Sequence, residues 1–263
     1  LVVAGFLILL IGVAVFAPEV ATHDPYKGSV LDRLKGFGHK GHWLGTDETG
    51  RDMFSRLVFG ARLSLVSGIV PVLLALLIGG ALGLLAGYFR GLVNTIIMRS
   101  MDVLYAFPSI LLAIAITDIL GSGLTNTLLA LTITIIPPVV RMTETLTAQV
   151  RLLDFVDAAR ISGAGSLSII WHHVMNNVLG SILVYATSLV SLSIILAAGL
   201  SFLGLGVTPP DAEWGLMLNS LRQAIWVNPI VAALPGAMIF LTSMAFNLLS
   251  DGLRQAMDVK LNS

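Results

Sequence analysis

Long apolar runs separated by short polar connectors dominate this chain, and they set its architecture. Crossing the hydrocarbon core of a bilayer takes about 20 mainly apolar residues in a helix. Runs approaching or exceeding that length fall at Leu1–Ala17, Leu63–Phe89, Leu92–Ile119, Leu124–Val140, Val178–Leu203 and Val227–Ser250. The second is free of charge and bracketed by Arg62 and Arg90, which can reach the two interfaces with their long stems. The third carries Arg99, Asp102 and Asp118, and the sixth stops at Asp251. The pattern predicts an all-α membrane protein of about six transmembrane helices. The chain starts inside an apolar run without an initiator Met, so Leu1–Ala17 is expected to be a first membrane helix that lacks its start.

Finer features modulate these spans. Gly79, Gly83 and Gly87 recur every four residues and put a glycine stripe on one helix face, where two backbones can approach closely. Packing inside the chain is the simpler reading, with a subunit contact or the edge of a conduit as the other. Pro137-Pro138 should kink the fourth span, as a fixed bend or as a hinge. Arg99 and Asp102, three residues apart, can pair on one face, while Asp118 should be solvated.

Composition narrows the class. Of 263 residues 56% are hydrophobic and only 11% charged, with a mean hydropathy of +0.91. Soluble domains carry about 25% charged residues. The net charge of +0 offers no basic surface for nucleic acid. With 0 cysteines there are no disulfides, thiol nucleophiles or thiolate metal sites. The lysines are Lys27, Lys35, Lys40 and Lys260, and none follows glycine, so no phosphate-cradling G-K-[ST] loop exists for ATP hydrolysis. His39-x-x-His42 and the adjacent His172-His173 lack a metalloenzyme pattern and are expected to be structural or solvated, with no metal site. An ion-coupled secondary transporter would want buried acids or histidines at mid-membrane, and the last two spans have none.

One connector is unusually rich in chemistry. From Asp154 to Asn177 it reads D-F-V-D-A-A-R-I-S-G-A-G-S-L-S-I-I-W-H-H-V-M-N-N. Asp154 is expected to cap a helix running to Ser162, with Asp157 three residues on as a partial capping-box partner. Gly163 should end that helix in the left-handed conformation, and Ser166 should cap a second short helix carrying Leu167, Ile170 and Trp171. Such a pair presents apolar residues away from the membrane, for a partner or for lipid headgroups. A headgroup-bound helix would favour several basic residues, and only Arg160 is present.

The core of that connector, Asp157-Ala158-Ala159 with Gly163, resembles the E-A-A-x-x-x-G coupling loop of ABC-importer permeases. Three further stretches in matching order extend the resemblance: L-G-T-D-E-T-G-R-D-M-F-S-R (44–56), R-S-M-D-V-L-Y-A-F-P-S-I-L-L-A (99–113), and G-L-S-F-L-G-L-G-V-T-P-P-D-A-E-W-G (199–215) followed by A-F-N-L-L-S-D-G-L-R (245–254). The chain is thus similar to the second permease subunit of the dipeptide, oligopeptide and nickel ABC importers. It departs from the family pattern with Asp157 for glutamate, Asn176 for proline, Ser250 for glycine and Val259 for proline.

The resemblance implies a type I ABC-importer permease in a bacterial inner membrane. Its expected parts are a first helix at 1–17, an extracytoplasmic segment at 18–62, a permease core at 63–253 and a cytoplasmic tail at 254–263. Within the core, 150–177 is the cytoplasmic coupling loop, with Asp154, Asp157, Ala158, Ala159, Arg160, Gly163, Ala164 and Gly165 as the ATPase-coupling residues. Positive charges do not separate the two sides, so this orientation rests on the resemblance. Implied partners are a homologous permease, one or two ATPase subunits using ATP and Mg, an extracytoplasmic binding protein and the bilayer. The cargo would be di- or oligopeptides, with nickel or another small solute as the alternative. Pro209, Pro210 and Trp214 lie in an outer loop, read equally as a gate or docking lip and as an interfacial anchor.

Overall fold

The computed structural model describes residues 2–258, and the notable positions Val259 and Lys260 lie outside them. The fold is a helical bundle. In chain order the helices are α1 (Val2–Val15), α2 (Ala17–Val20), α3 (Met53–Phe89), α4 (Gly91–Tyr105), α5 (Ser109–Leu120), α6 (Leu124–Val150), α7 (Asp154–Ile161), α8 (Ser166–Ile169), α9 (Met175–Phe202), α10 (Trp214–Leu221) and α11 (Pro229–Asp258). A π-helical turn at Ile170–Val174 joins α8 to α9 into one apolar rod, Ser166–Phe202. Among the described residues β pairing is confined to isolated bridges, Gly28–Arg51, His39–His42 and Thr46–Asp52.

The six expected spans fall on α1, α3, the α4–α5 pair, α6, the Ser166–Phe202 rod and α11. Among the described residues, however, only four helices are long and apolar enough to cross a membrane, or five with the α4–α5 pair, and α1 at 14 residues is not one of them. The second span starts at Met53 rather than Leu63, because Asp52 caps the helix by accepting from the Ser55 N–H. At 37 residues α3 is about 55 Å long, well beyond the ~30 Å hydrocarbon core. The third span is not one straight helix. It breaks at Ala106–Pro108, and α4 and α5 meet at 86°. Pro108 lacks an N–H and biases Phe107 away from the helical region, which summed hydropathy does not register. Pro137 and Pro138, by contrast, lie inside the continuous α6.

The glycine stripe works within the chain. A Cβ added at Gly79 would lie 3.2 Å from Val139 Cβ, one at Gly83 2.5 Å from Thr143 Cβ, and one at Gly87 2.6 Å from Thr147 Cβ. The i, i+4 rows of α3 and α6 therefore mesh at backbone distance, with the Val140 and Glu144 carbonyls equally close to Gly83 and Gly87. Around this seam Leu57, Leu65, Val72 and Ala75 of α3, Ile135 and Val139 of α6, and Leu189 and Ile194 of α9 form the main core.

Arg62 does not simply reach an interface. It donates to the Ala14 and Val15 carbonyls at 2.5 and 2.6 Å, satisfying the free C-terminal end of α1. Asp102 does pair with Arg99 at 3.4 Å, but it is also bound by Arg141 of α6, whose guanidinium sits 4.9 Å from the Tyr105 ring centre. Asp118 is exposed, as expected.

Gly83→Leu should clash with Thr143 and the Val140 carbonyl inside the same chain, and overpacking of this kind costs about 1–3 kcal/mol. We expect the variant to lose membrane abundance and detergent-state thermal stability on its own. Full abundance with impaired recovery of a partner permease would instead place the stripe at a subunit contact.

A candidate docking hairpin at one end and a buried collar at the other

Helix α3 ends beside the 151–174 connector. Val150 closes α6, Leu153 occupies the N-cap position of α7, and Asp154 is the first helical residue, with no side-chain cap. The expected Asp154 cap is therefore not made. Its carboxylate sits in the first turn instead, where the helix dipole favours it. Asp157 pairs with Arg160 at 2.8 Å, and both are exposed, so the pair contributes little to stability.

The turn after α7 follows the expectation for Gly163, which has φ +83°. The Ala164 N–H donates to the Ala159 carbonyl and the Gly163 N–H to the Arg160 carbonyl, both at 3.1 Å. These are the two bonds of a Schellman motif, which needs a residue at positive φ and so favours glycine. Ser166, expected to cap α8, is its first residue, and Gly165 holds the cap position without a side-chain bond.

The hairpin has two unlike faces. Val156, Ile169, Ile170 and Val174 are buried against Tyr88 of α3 and Val178 and Ile182 of α9, with Ala159 and Ala164 packed at the edge. On the outer face Leu152, Leu153, Phe155, Ile161, Leu167 and Trp171 are exposed, Ile161 at 86% and Leu167 at 74%. Asp154, Asp157, Ala158, Arg160, Gly163 and Gly165 are exposed alongside them. Exposed apolar side chains grouped on one short segment make the hairpin a candidate interaction site. Of the three apolar residues expected to face outward, Leu167 and Trp171 do so, but Ile170 is buried with Tyr88, an anchor too far along the chain for any local signal.

At the opposite end of α3 the 44–56 motif folds into a knot of buried polar groups. Asp47 accepts from the Thr49 N–H, the Thr49 hydroxyl and the Arg51 N–H, and forms ion pairs with Arg51 at 2.6 Å and Arg56 at 3.2 Å. Thr46, Asp47, Asp52, Ser55 and Arg56 are all buried. Gly50 has φ +80° and lies so close to the Ser29 carbonyl that a Cβ would sit 1.9 Å from it. Burial, with the neighbouring charge of Asp47, raises the Glu48 carboxyl above the usual range, while Arg51 and Arg56 pull the other way. Hydrogen bonds from Lys40 and His39 hold Asp32 down to about 2. Arg56 also donates to the Pro25 and Asp211 carbonyls, so 22–56 and the 204–213 loop form one collar.

Trp214 belongs to that collar and is neither lip nor interfacial anchor. It is fully buried, its Nε1–H donates to the Leu57 carbonyl at 3.0 Å, and its ring lies over Gly60. Glu213 caps α10 by accepting the Gly215 and Leu216 N–H groups at 2.9 Å, and it also accepts from the Ser64 hydroxyl. Bonds to Arg56, Leu57 and Ser64 of α3 hold the 211–214 stretch and keep the indole inward. Pro209 and Pro210 do remain exposed, joined by a cis bond.

The architecture is thus a helical membrane bundle with a broken span, a hairpin at one end of α3 and a collar at the other. In fold it is similar to the MetNI methionine ABC transporter in its inward-facing form, with TM-score 0.61, 17% identity, and 76% of this chain and 97% of that one covered. An amino acid ABC transporter crystallised with histidines gives TM-score 0.58 at 15% identity, covering 77% and 94%. Residues 79–263 match the model for binding-protein-dependent transport system inner membrane components. The glutathione transport system permease protein GsiD of Pectobacterium atrosepticum is 46% identical over 263 residues, 100% of this chain and 87% of that protein. GsiD of Escherichia coli is 45% identical over 258 residues, 98% and 85%. The chain belongs to this family of ABC-importer permeases, multi-pass proteins of the bacterial inner membrane.

Trp214→Ala should empty a core site and cost about 3–5 kcal/mol, while Trp214→Phe loses chiefly the bond to Leu57, about 1–3 kcal/mol. Thermal unfolding of the detergent-purified chain should rank wild type above Phe above Ala. Equal stability of all three would return Trp214 to a surface role.

Proposed function

We propose that this chain is the non-catalytic half of a conduit, moved by a separate ATPase through the 154–177 hairpin. The observation that carries this reading is the pairing of faces described above. One face is locked onto α3 and α9 through Tyr88 and Val178, and the other leaves Leu152, Phe155, Ile161, Leu167 and Trp171 in the open. A rigidly seated element with an apolar outer face can transmit a displacement into the helices it rests on. A homologous permease would form the other half, each hairpin resting in an ATP-binding subunit, so that closure of the ATPases repacks the spans between two discrete arrangements. ATP and Mg belong to those subunits, and an extracytoplasmic binding protein would deliver cargo at the collar end.

The cargo we favour is a small peptide. Its support is the glutathione named for the GsiD relatives and the peptide-importer motifs across the chain. Nickel or another small solute is the alternative within the same mechanism.

Asp157→Lys reverses the charge beside Arg160 on the exposed face, and Gly163→Val places a β-branched residue at φ +83°. Neither position is buried, so both variants should reach the membrane at near-normal levels. Each should lower substrate-stimulated ATP hydrolysis of the assembled transporter at least about tenfold, a coupling loss of roughly 1.4 kcal/mol or more. Normal stimulation in both would sink the hairpin assignment.

The orientation follows from the same reading. A cysteine at Leu31, 84% exposed in the collar segment, should react with a membrane-impermeant thiol reagent in cells whose outer membrane is permeabilised. A cysteine at the exposed Ser168 should react only after the inner membrane is opened. The native chain has 0 cysteines, so each label reports one site. The reverse pattern would invert the topology.

A further inference from the structure

We propose that His23, His42 and Asp52 form a binding site for a divalent transition cation of the zinc class at the start of α3. The carboxylate of Asp52 divides its work between its two oxygens. Oδ2 takes the structural bonds, from the Ser55 N–H at 2.7 Å, the Ser55 hydroxyl at 2.6 Å and the Thr22 hydroxyl at 3.2 Å. Oδ1 faces two imidazoles, His42 Nδ1 at 2.9 Å and His23 Nδ1 at 3.7 Å. Capping the helix therefore uses one oxygen, while the other hydrogen-bonds with His42 Nδ1 and faces His23 Nδ1, which itself lies 3.0 Å from the Thr22 hydroxyl.

The potential ligand atoms of the three residues lie within 4.8 Å of one another. Zinc bonds of about 2.0–2.1 Å in a tetrahedron put neighbouring ligands about 3.3 Å apart. The two carboxylate–imidazole distances bracket that edge, and the two imidazole nitrogens, within 4.8 Å of each other, would close together as all three atoms come onto one ion. The frame is already fixed. The Ser55 hydroxyl that bonds Asp52 also accepts the His23 N–H at 3.0 Å, and the two imidazole rings lie 4.4 Å apart. Buried partners that orient a ligand in this way are what a metal site requires around it.

Access and selectivity follow from burial and ligand type. The Asp52 side chain is fully buried, His42 is 15% exposed and His23 39%, so the site opens to solvent on the His23 side, where water can complete the coordination. Two imidazoles and one carboxylate suit zinc, with nickel and cobalt as competitors, and offer too few oxygens for calcium or magnesium. A bound ion would tie Thr22–His23 and the 38–42 turn to the first residue before α3, closing the collar through a third kind of bond besides its hydrogen bonds and ion pairs. This role is separate from the hairpin and does not depend on it.

The test uses the full chain purified in detergent on a histidine-free tag and stripped with a chelator. Zinc is titrated against a chromophoric chelator, and cobalt binding is followed by its visible absorption. Wild type should take up one equivalent. His23→Gln and His42→Gln should each weaken zinc at least about tenfold, while His39→Gln, in the same segment, should bind as wild type does. Zinc should also slow protease cleavage between residues 24 and 41 in wild type and leave His23→Gln unprotected. His23 is partly exposed, so that variant carries the test if His42→Gln fails to fold. Absence of stoichiometric binding in wild type, or equal affinity in wild type and His23→Gln, would overturn the proposal.

Discussion

The close approach of α3 and α6 over Gly79, Gly83 and Gly87 is the contact on which the rest of the molecule depends. In a bilayer apolar side chains gain nothing by leaving lipid for protein, so helix association rests on van der Waals contact and interhelical polar bonds. A glycine at every fourth position lets Thr143, Thr147 and the Val140 and Glu144 carbonyls of α6 touch the α3 backbone itself. A side chain at Gly83 or Gly87 would run into α6 at 2.5–2.6 Å, while one at Gly79 would press on it at 3.1 Å.

With that seam in place, α3 becomes an axle that joins two unlike ends. At its start Asp52 is the cap, and the collar is assembled around it through Asp47, Arg51 and Arg56. Within the next three or so turns, Leu57, Gly60 and Ser64 receive Trp214 and Glu213 from the far side of the sequence. At its end Tyr88 helps seat the hairpin. Every element we connect with function thus takes its position from one helix. A movement imposed at the hairpin has a continuous, packed route of about 55 Å to the collar.

The α4–α5 break adds the one irregular stretch in the spans. Backbone without helical bonds is tolerated at membrane depth where it is buried in protein or lines a water-filled cavity. Here the residues from Leu104 to Ser109, with Leu112 and with Thr134 and Pro137 of α6, line an open cavity of about 370 Å³. Close to it, Arg141 satisfies Asp102 and covers the Tyr105 ring, so the charge that looked like a local pair belongs to an interhelical cluster.

What the sequence by itself determined follows from interactions that act over a few residues. Runs of apolar residues located the membrane segments, the absence of thiols and phosphate loops excluded whole classes of chemistry, and Gly163 stopped α7 because the turn after it requires positive φ. The glycine stripe was visible too, but not what it touches. Tertiary structure alone decided the roles that hang on distant partners. Trp214 turned inward because Leu57 offers its indole an acceptor, and Asp154 left the cap to Leu153 because the hairpin is seated by Val156 and Tyr88 rather than by its own side-chain bonds. Asp52 meets His23 and His42 only because Ser55 and Thr22 fold the collar back onto the first turn of α3. Local pattern records the conformation a residue can adopt, whereas its neighbours across the bundle determine which of its atoms are left free for function.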